Sequence, residues 1–365
     1  MITHAHGDHA RPGSATYLAP APGMGVLSHR LPKARIESLA YGETRRIGEV
    51  DVSFHPAGHV LGSAQVRIEH RGEVWVVSGD FKRQADPTCT PFEPVRCHTF
   101  ITEATFALPI YRWPDTAQVA AEIAAWWQGN AEAGRASVLC AYSLGKAQRL
   151  LAALAPHAAG RTLRTHGAIE AINEVYRRCG VALPATRRLE PTFRGSLAGE
   201  LILAPPAAFG SHWMRQVGRA QVGFASGWML LPDRLRRGSF DRGFVVSDHA
   251  DWRDLLRTVR ETGAERVLTT HGYASAFARF LGERGIEAAV LGAESGGDSA
   301  ESAQAKNRQL HLPLPENPRA VAARAAAGIP GWLLDECQAV VGELAETLEL
   351  LPKAGEAADG PAEPC

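Results

Sequence analysis

The sequence is poor in the features that fix a protein's class at a glance. None of its six cysteines, Cys89, Cys97, Cys140, Cys179, Cys337 and Cys365, is spaced as CxxC. A chain of 365 residues needs no disulfide staples to hold a core, so the six are expected as reduced thiols of a cytosolic protein. No apolar run approaches a membrane span, and no signal-peptide pattern opens the chain. The expected compartment is cytoplasmic, with no membrane partner. Net charge is missing too, because 39 basic side chains offset 39 acidic ones. The overall balance therefore announces no polyanionic partner and leaves any charged surface to local arrangement. Tandem repeats are absent, and "SLGKAQR" lacks the GxxxxGK spacing of a Walker A loop.

What is present begins with an ordinary apolar content of 45%, and a length of 365 residues is enough for two domains or for one large domain with an insertion. Short β-rich runs come first: "VDVSFHP", "AQVRIEH", "EVWVVSGD" and "TFITEATF". His59, Asp80 and Glu103 stand just past such runs, as if strands delivered them on loops at one edge of a sheet. From about residue 115 the period changes. "DTAQVAAEIAAWWQGNAEAG" predicts an amphipathic helix with Asp115 near its N-cap and Gly134 near its stop. "SVLCAYS" predicts a buried strand and "LGKAQRLLAALA" a helix after it. Alternation to about residue 245 predicts a parallel α/β unit. "RGFVVSDHADW" and "AERVLTTHGY" again place a histidine just past a strand. Residues 292–317 read as a linker, 318–352 as a helical segment and 353–365 as a disordered tail.

The densest chemistry lies in the opening "MITHAHGDHA", which holds His4, His6, Asp8 and His9. Histidines two apart cannot share a helix face, which needs a spacing of three or four. On a strand end or loop they can converge on one ion, and imidazole and carboxylate are zinc-type ligands. A surface accident is the bland alternative, and ligand-type residues elsewhere in the chain weigh against it.

"HAHGDH" resembles the HxHxDH signature of the metallo-β-lactamase fold. "HPAGHVLGSA", with His59, and "VVSGD", with Asp80, are similar to the family's next two motifs and occur in its order. "TEATF", "SDHAD" and "TTHG" resemble motifs A, B and C of the β-CASP nucleases, on Glu103, His249 and His271. Across "HPAGHVLGSAQVRIEHRGEVWVVSGDFK", "CHTFITEATFALPIYRW", "GKAQR", "FASGWM" and "DRGFVVSDHADW" the sequence resembles the bacterial ligase-associated DNA exonucleases. The C-terminal "IPGWLLDECQAVVGELAETLELLP" resembles a fragment of the N-terminal region of ATP-dependent DNA ligases, with an ordinary helical extension as the alternative. The resemblance implies an αββα sandwich formed by residues 1–105 and 247–291, interrupted by a β-CASP α/β cap at 106–246. Family members carry strands ahead of HxHxDH, with an Asp that buttresses the metal site. Here these strands are missing from the text, so an uncovered sheet edge and a looser site are expected.

The resemblance also implies the site. One divalent metal would take His4, His6 and His59, and a second Asp8, His9 and His271, with Asp80 bridging. Zinc is expected from the ligand types, with manganese as the alternative. A metal-activated water would attack the phosphodiester in line, His249 would serve as general acid, and Glu103 would orient it. Asp251 reads either as a supporting residue of the site or as the cap of "WRDLLRTVRETG". His166 in "THGAIEA" could sit at a helix N-terminus facing substrate.

Polymer binding is sought in residues 209–245, where Arg215, Arg219, Arg234, Arg236, Arg237 and Arg242 outnumber Asp233 and Asp241 by four. Arginine forks suit phosphates, and Trp213, Phe224 and Trp228 are candidates to stack on bases. Lys146, following Gly145 at a helix start, is a candidate for a terminal phosphate. The expected partner is nucleic acid, DNA ahead of RNA, together with an ATP-dependent DNA ligase. An RNA-processing β-CASP enzyme, a lactonase or thioesterase of the wider fold, and a non-catalytic scaffold are the competing readings. His271 favours the first of these, since several DNA-cutting relatives carry valine in motif C.

Overall fold

The computed structural model describes residues 1–158, 160–231 and 240–292. The calls on 292–317, 318–352 and 353–365 fall, apart from residue 292 itself, outside these residues, as do Arg234, Arg236 and Arg237. The protein is mixed α/β, as expected. Among the described residues no helix is long and apolar enough to cross a membrane.

One sheet has seven strands in the order β15-β14-β7-β6-β5-β4-β3. Its strands are β3 (Thr44–Ile47), β4 (Val50–Pro56), β5 (Ala64–His70), β6 (Glu73–Val77), β7 (Thr99–Glu103), β14 (Arg266–Thr270) and β15 (Glu287–Val290). β5 and β6 form a tight hairpin in which His70 faces Glu73 across Arg71 and Gly72. Both turn residues have positive φ, 51° and 86°, which matches the right-handed twist of the flanking strands.

Strand direction decides where the site lies. β4 and β5 are antiparallel, as are β5 and β6, so β4 and β6 run the same way. β6, β7 and β14 are mutually parallel neighbours. The carboxyl ends of these four strands therefore share one edge. They carry, in order, the loops to His59 and Asp80, Glu103 itself, and His271. Open α/β sheets collect ligands at such edges.

The second large sheet is wholly parallel, in the order β10-β9-β11-β8-β12-β13. It comprises β8 (Ala136–Cys140), β9 (Leu163–Thr165), β10 (Thr186–Arg188), β11 (Leu201–Ala204), β12 (Ala220–Ala225) and β13 (Arg242–Phe244). Side chains alternate between faces along a strand. Leu139, Leu201 and Leu203 enter one core with Ile123, Trp127, Leu150 and Leu151 from two helices. Val138, Ile202 and Phe224 enter the other. Burial on both faces is the rule for parallel sheets. The helix Thr116–Glu132 starts at Asp115, whose carboxylate accepts from Ala117 and Gln118 N–H, and stops just before Gly134, at φ +65°.

A third, two-stranded parallel sheet pairs β1 (Tyr17–Pro20) with β2 (Ile36–Leu39). β1 is buried along its whole length. Ile2 lies beside it, donating its N–H to Leu18 O at 2.9 Å. The helix Gly167–Arg178 adds Ile172, Val175 and Tyr176 to the same apolar cluster.

Candidate metal centre

Four ligand atoms, one each from His4, His6, His59 and Asp80, lie within 4.8 Å of one another. Hydrogen bonding sets the protonation of two of the rings. His59 Nδ1 is 2.8 Å from the Asp248 carbonyl oxygen, and His6 Nε2 is 3.1 Å from that of Leu144. A carbonyl oxygen only accepts, so both of these ring nitrogens carry the proton. Burial disfavours the imidazolium of both rings and of His4, lowering all three pKa values, and neighbouring imidazoles lower His4 and His59 further. Neutral rings then leave bare lone pairs on His59 Nε2 and His6 Nδ1, which are 3.1 Å apart. His4 Nε2 is 3.0 Å from the same His6 Nδ1. Two lone pairs aimed at one another in a buried place are costly unless a cation sits between them. The donor set therefore fits a divalent metal, with imidazole nitrogens and a carboxylate in one cluster.

Asp80 Oδ2 lies 3.4 Å from His4 Nε2, 3.5 Å from His9 Nε2 and 3.7 Å from His59 Nε2. Burial pushes its carboxyl up to about 7, against the pull of His249. It belongs also to a second group, with Glu103 and His249. Glu103 is pinned by the Phe81 N–H at 2.9 Å, the Thr105 hydroxyl at 2.6 Å and His249 Nδ1 at 2.7 Å. Burial works against its charge, but His249 and these donors hold the carboxyl below its ordinary range. Burial likewise opposes the His249 imidazolium, and the Glu103 and Asp80 carboxylates outweigh it, raising the pKa to about 9.

The residues assigned to a second metal converge less. His9 Nε2 faces Asp80 but stands 3.9 Å from the exposed Asp8 carboxylate. His271 is exposed, with φ +61°, a left-handed conformation that residues other than glycine rarely adopt. Such strain collects at functional sites.

Several sequence-based assignments meet a different environment. Lys146 is buried, its Nζ 3.3 Å from Asp248 Oδ2, and it is not free for a phosphate. The loop N–H groups are also taken: Gly145 N–H donates to Gln148 Oε1 at 2.8 Å and Ala147 N–H to Tyr142 O at 3.1 Å. Phe224 is buried against Phe240 and is not available for stacking on bases. Trp228 is half-buried, packed on Phe106, whose ring is 5.9 Å from that of His249. Arg215 is exposed and reaches His212 Nδ1 at 3.0 Å. His166 does cap its helix, but its Nδ1 accepts from Ala168 N–H and its ring packs on Trp213. Asp251 caps the helix Trp252–Thr262 through Asp254 N–H, and its other oxygen accepts from Trp113 N–H at 3.0 Å.

One set of residues escapes the motif reading. Arg149 Nη2 lies 2.9 Å from Asp86 Oδ2 and Arg149 Nε 3.5 Å from Asp248 Oδ1, all deeply buried. The available signal was Lys146 and Arg149 three apart, hence on one face of a helix that is apolar elsewhere except at Gln148.

No family model matches the chain. It is 35% identical over 306 residues to a probable DNA ligase of Opitutus terrae, covering 81% of this chain and 29% of that protein. It is 29% identical over 119 residues to endoribonuclease ysh1 of Aspergillus fumigatus, covering 32% of this chain and 13% of that one. The chain thus spans less than a third of either relative. Its fold is similar to that of a protein of unknown function from Enterococcus faecalis V583, with a TM-score of 0.52 and 14% identity over 81% of this chain and 79% of that one.

Proposed function

We propose that this chain is a metal-dependent nuclease of the metallo-β-lactamase fold with a β-CASP cap, acting as a DNA exonuclease. The observation that carries the reading is the pair of lone-pair nitrogens of His6 and His59, 3.1 Å apart beside His4 and Asp80. His4, His6 and His59 would hold one divalent cation and Asp8, His9 and His271 a second, with Asp80 between them. Zinc is the expected ion and manganese the alternative. When bound, such cations supply Lewis acidity and an acidified water for in-line displacement at phosphorus.

The chain's own groups do the rest. His249 holds a proton at neutral pH because Glu103, 2.7 Å away, favours its cation. It can give that proton to the departing 3′ oxygen, and Glu103 keeps Nε2 as the outward donor. Phe106, in ring contact with Trp113, Trp228 and His249, walls this side against water. Exposed Arg215, with Arg236 and Arg237, would supply salt-sensitive phosphate contacts, and half-buried Trp228 an aromatic edge.

DNA is favoured because the relative matched over most of this chain is named a probable DNA ligase. Most of that protein lies beyond the match, which supports action beside a DNA ligase. The second reading is RNA cleavage, favoured by the endoribonuclease relative and by His271. The test is metal analysis of the full chain, then incubation with end-labelled single-stranded DNA and RNA with Zn²⁺ or Mn²⁺. Bound metal and stepwise shortening of DNA are expected, with Asp80→Asn at least about 10²-fold slower. Robust cutting by Asp80→Asn would sink the metal mechanism, and RNA cut in preference to DNA would transfer the reading to the second substrate.

A further inference from the structure

The two carbonyl groups that orient metal-ligand histidines come from segments far apart in the chain. Leu144 O accepts from His6, and Asp248 O accepts from His59. Leu144 lies on the loop after β8, in the six-stranded sheet. Asp248 lies on the segment that leaves β13 and returns to the seven-stranded sheet. Neither Leu144 nor Asp248 lies in a helix or strand, so the convergence of the rings depends on what holds these loops.

A buried ion-pair cluster joins them. Lys146, two residues beyond Leu144, reaches Asp248 Oδ2 at 3.3 Å. Arg149, one turn further along the helix Lys146–Leu154, lies 3.5 Å from Asp248 Oδ1 and 2.9 Å from Asp86 Oδ2. Its Nη2 also approaches His59 O at 3.5 Å. All four side chains are 5% exposed or less. Gly145 lets the Leu144 loop close on the His59 loop, since a Cβ there would stand 2.2 Å from Val60 Cγ1.

Buried ion pairs are weak contributors to net stability, because desolvation cancels most of the attraction. Their better-attested use is to specify one arrangement. We infer that the Lys146–Asp248–Arg149–Asp86 cluster is a bolt that locks the Leu144 and Asp248 carbonyls in register, so that Lys146 and Arg149 are positioning residues for the metal centre. The inference rests on the metal-site reading above. Loss of the partners that orient metal-bound histidines typically costs about 10–100-fold in metal affinity.

The test measures Zn²⁺ affinity of the full chain by competition with a chromophoric chelator, with no nucleic acid present. Lys146→Met, which keeps the apolar stem, and Asp248→Asn, which keeps the backbone carbonyl, are each expected to weaken binding about 10–100-fold. Lys146→Arg restores the charge and recovers most of it. Arg177→Met breaks another ion pair of the same unit, with Glu170 at 2.9 Å, and leaves Zn²⁺ affinity unchanged. Wild-type affinity in Lys146→Met or Asp248→Asn overturns the bolt. So does equal weakening in Arg177→Met, which would make the effect one of general destabilisation. Asp248→Asn, nearly isosteric, decides the matter if Lys146→Met does not fold. A wild-type chain that binds no Zn²⁺ would instead count against the metal centre itself.

Discussion

Two clusters of polar side chains in this molecule are satisfied in opposite ways. In the six-stranded unit the Glu170 carboxylate receives the hydroxyls of Thr165 at 2.5 Å and Thr186 at 2.6 Å, Arg177 Nη1 at 2.9 Å and Asn173 Nδ2 at 3.2 Å. Every oxygen is answered by a donor from the chain. At the edge of the seven-stranded sheet, His6 and His59 turn their protons outward to carbonyls and their lone pairs toward each other. The first cluster is closed, so it stabilises the fold and has no spare chemistry. The second gathers ligand atoms that fit a cation.

The largest expected effect sharpens that contrast. Zn²⁺ at about a thousand times its dissociation constant should raise the unfolding free energy by about 4 kcal/mol, as binding to the native state alone requires. His6→Ala should lose most of this rise, while Glu170→Gln should keep it. Chemical denaturation with and without metal reads both, and an equal rise in His6→Ala would erase the distinction between the two clusters.

Next in size is the closed cluster's own response to acid. Burial works against the Glu170 charge, but Thr165, Thr186 and Arg177 outweigh it and hold the carboxyl below the ordinary glutamate value of 4.5. A depressed carboxyl stabilises the native state above its unfolded pKa, and that contribution is lost as pH falls through the folded value. Glu170→Gln should therefore lower stability at pH 7 by about 1.5–3 kcal/mol, the range for hydrogen bonds to charged groups. The gap from wild type should narrow as pH falls below 4.5. A gap that is constant between pH 7 and pH 3 would show that the charge is not what matters there.

The two regions also differ in how far they could be read from the sequence. Strands β4, β6 and β7 were legible because short apolar runs end in ligand-type residues. Asp115 and Asp251 were legible as caps because capping is local, a side chain reaching N–H groups two or three residues on. Lys146 misled, because a lysine after a glycine at a helix start looks alike whether it faces a phosphate or a buried aspartate. The decision lies with Asp248, which only the tertiary fold brings near. Phe224 misled similarly, since its place on β12 turns it into the core. The facing lone pairs were not legible at all, because they depend on the Leu144 and Asp248 carbonyls rather than on any side-chain motif.

The smallest expected effect concerns His271, where the open region carries a cost in backbone conformation. A left-handed residue with a Cβ is disfavoured by about 1–2 kcal/mol, and glycine relieves this at an entropic cost of about 0.5–1 kcal/mol. The next residue, Gly272, is also left-handed at φ +54°, and a Cβ there would stand 2.5 Å from Thr105 Cα. The turn is thus held by packing against Thr105, and His271 is carried in the strained conformation with it. His271→Gly should leave the metal-free protein as stable as wild type or up to about 1.5 kcal/mol more so. At the same time it should remove one of the two metals proposed above. Gain in stability with loss of one metal would identify the strain as maintained for ligation. Unchanged metal content would reduce His271 to a turn residue and leave the His4, His6, His59 and Asp80 cluster as a single-metal site.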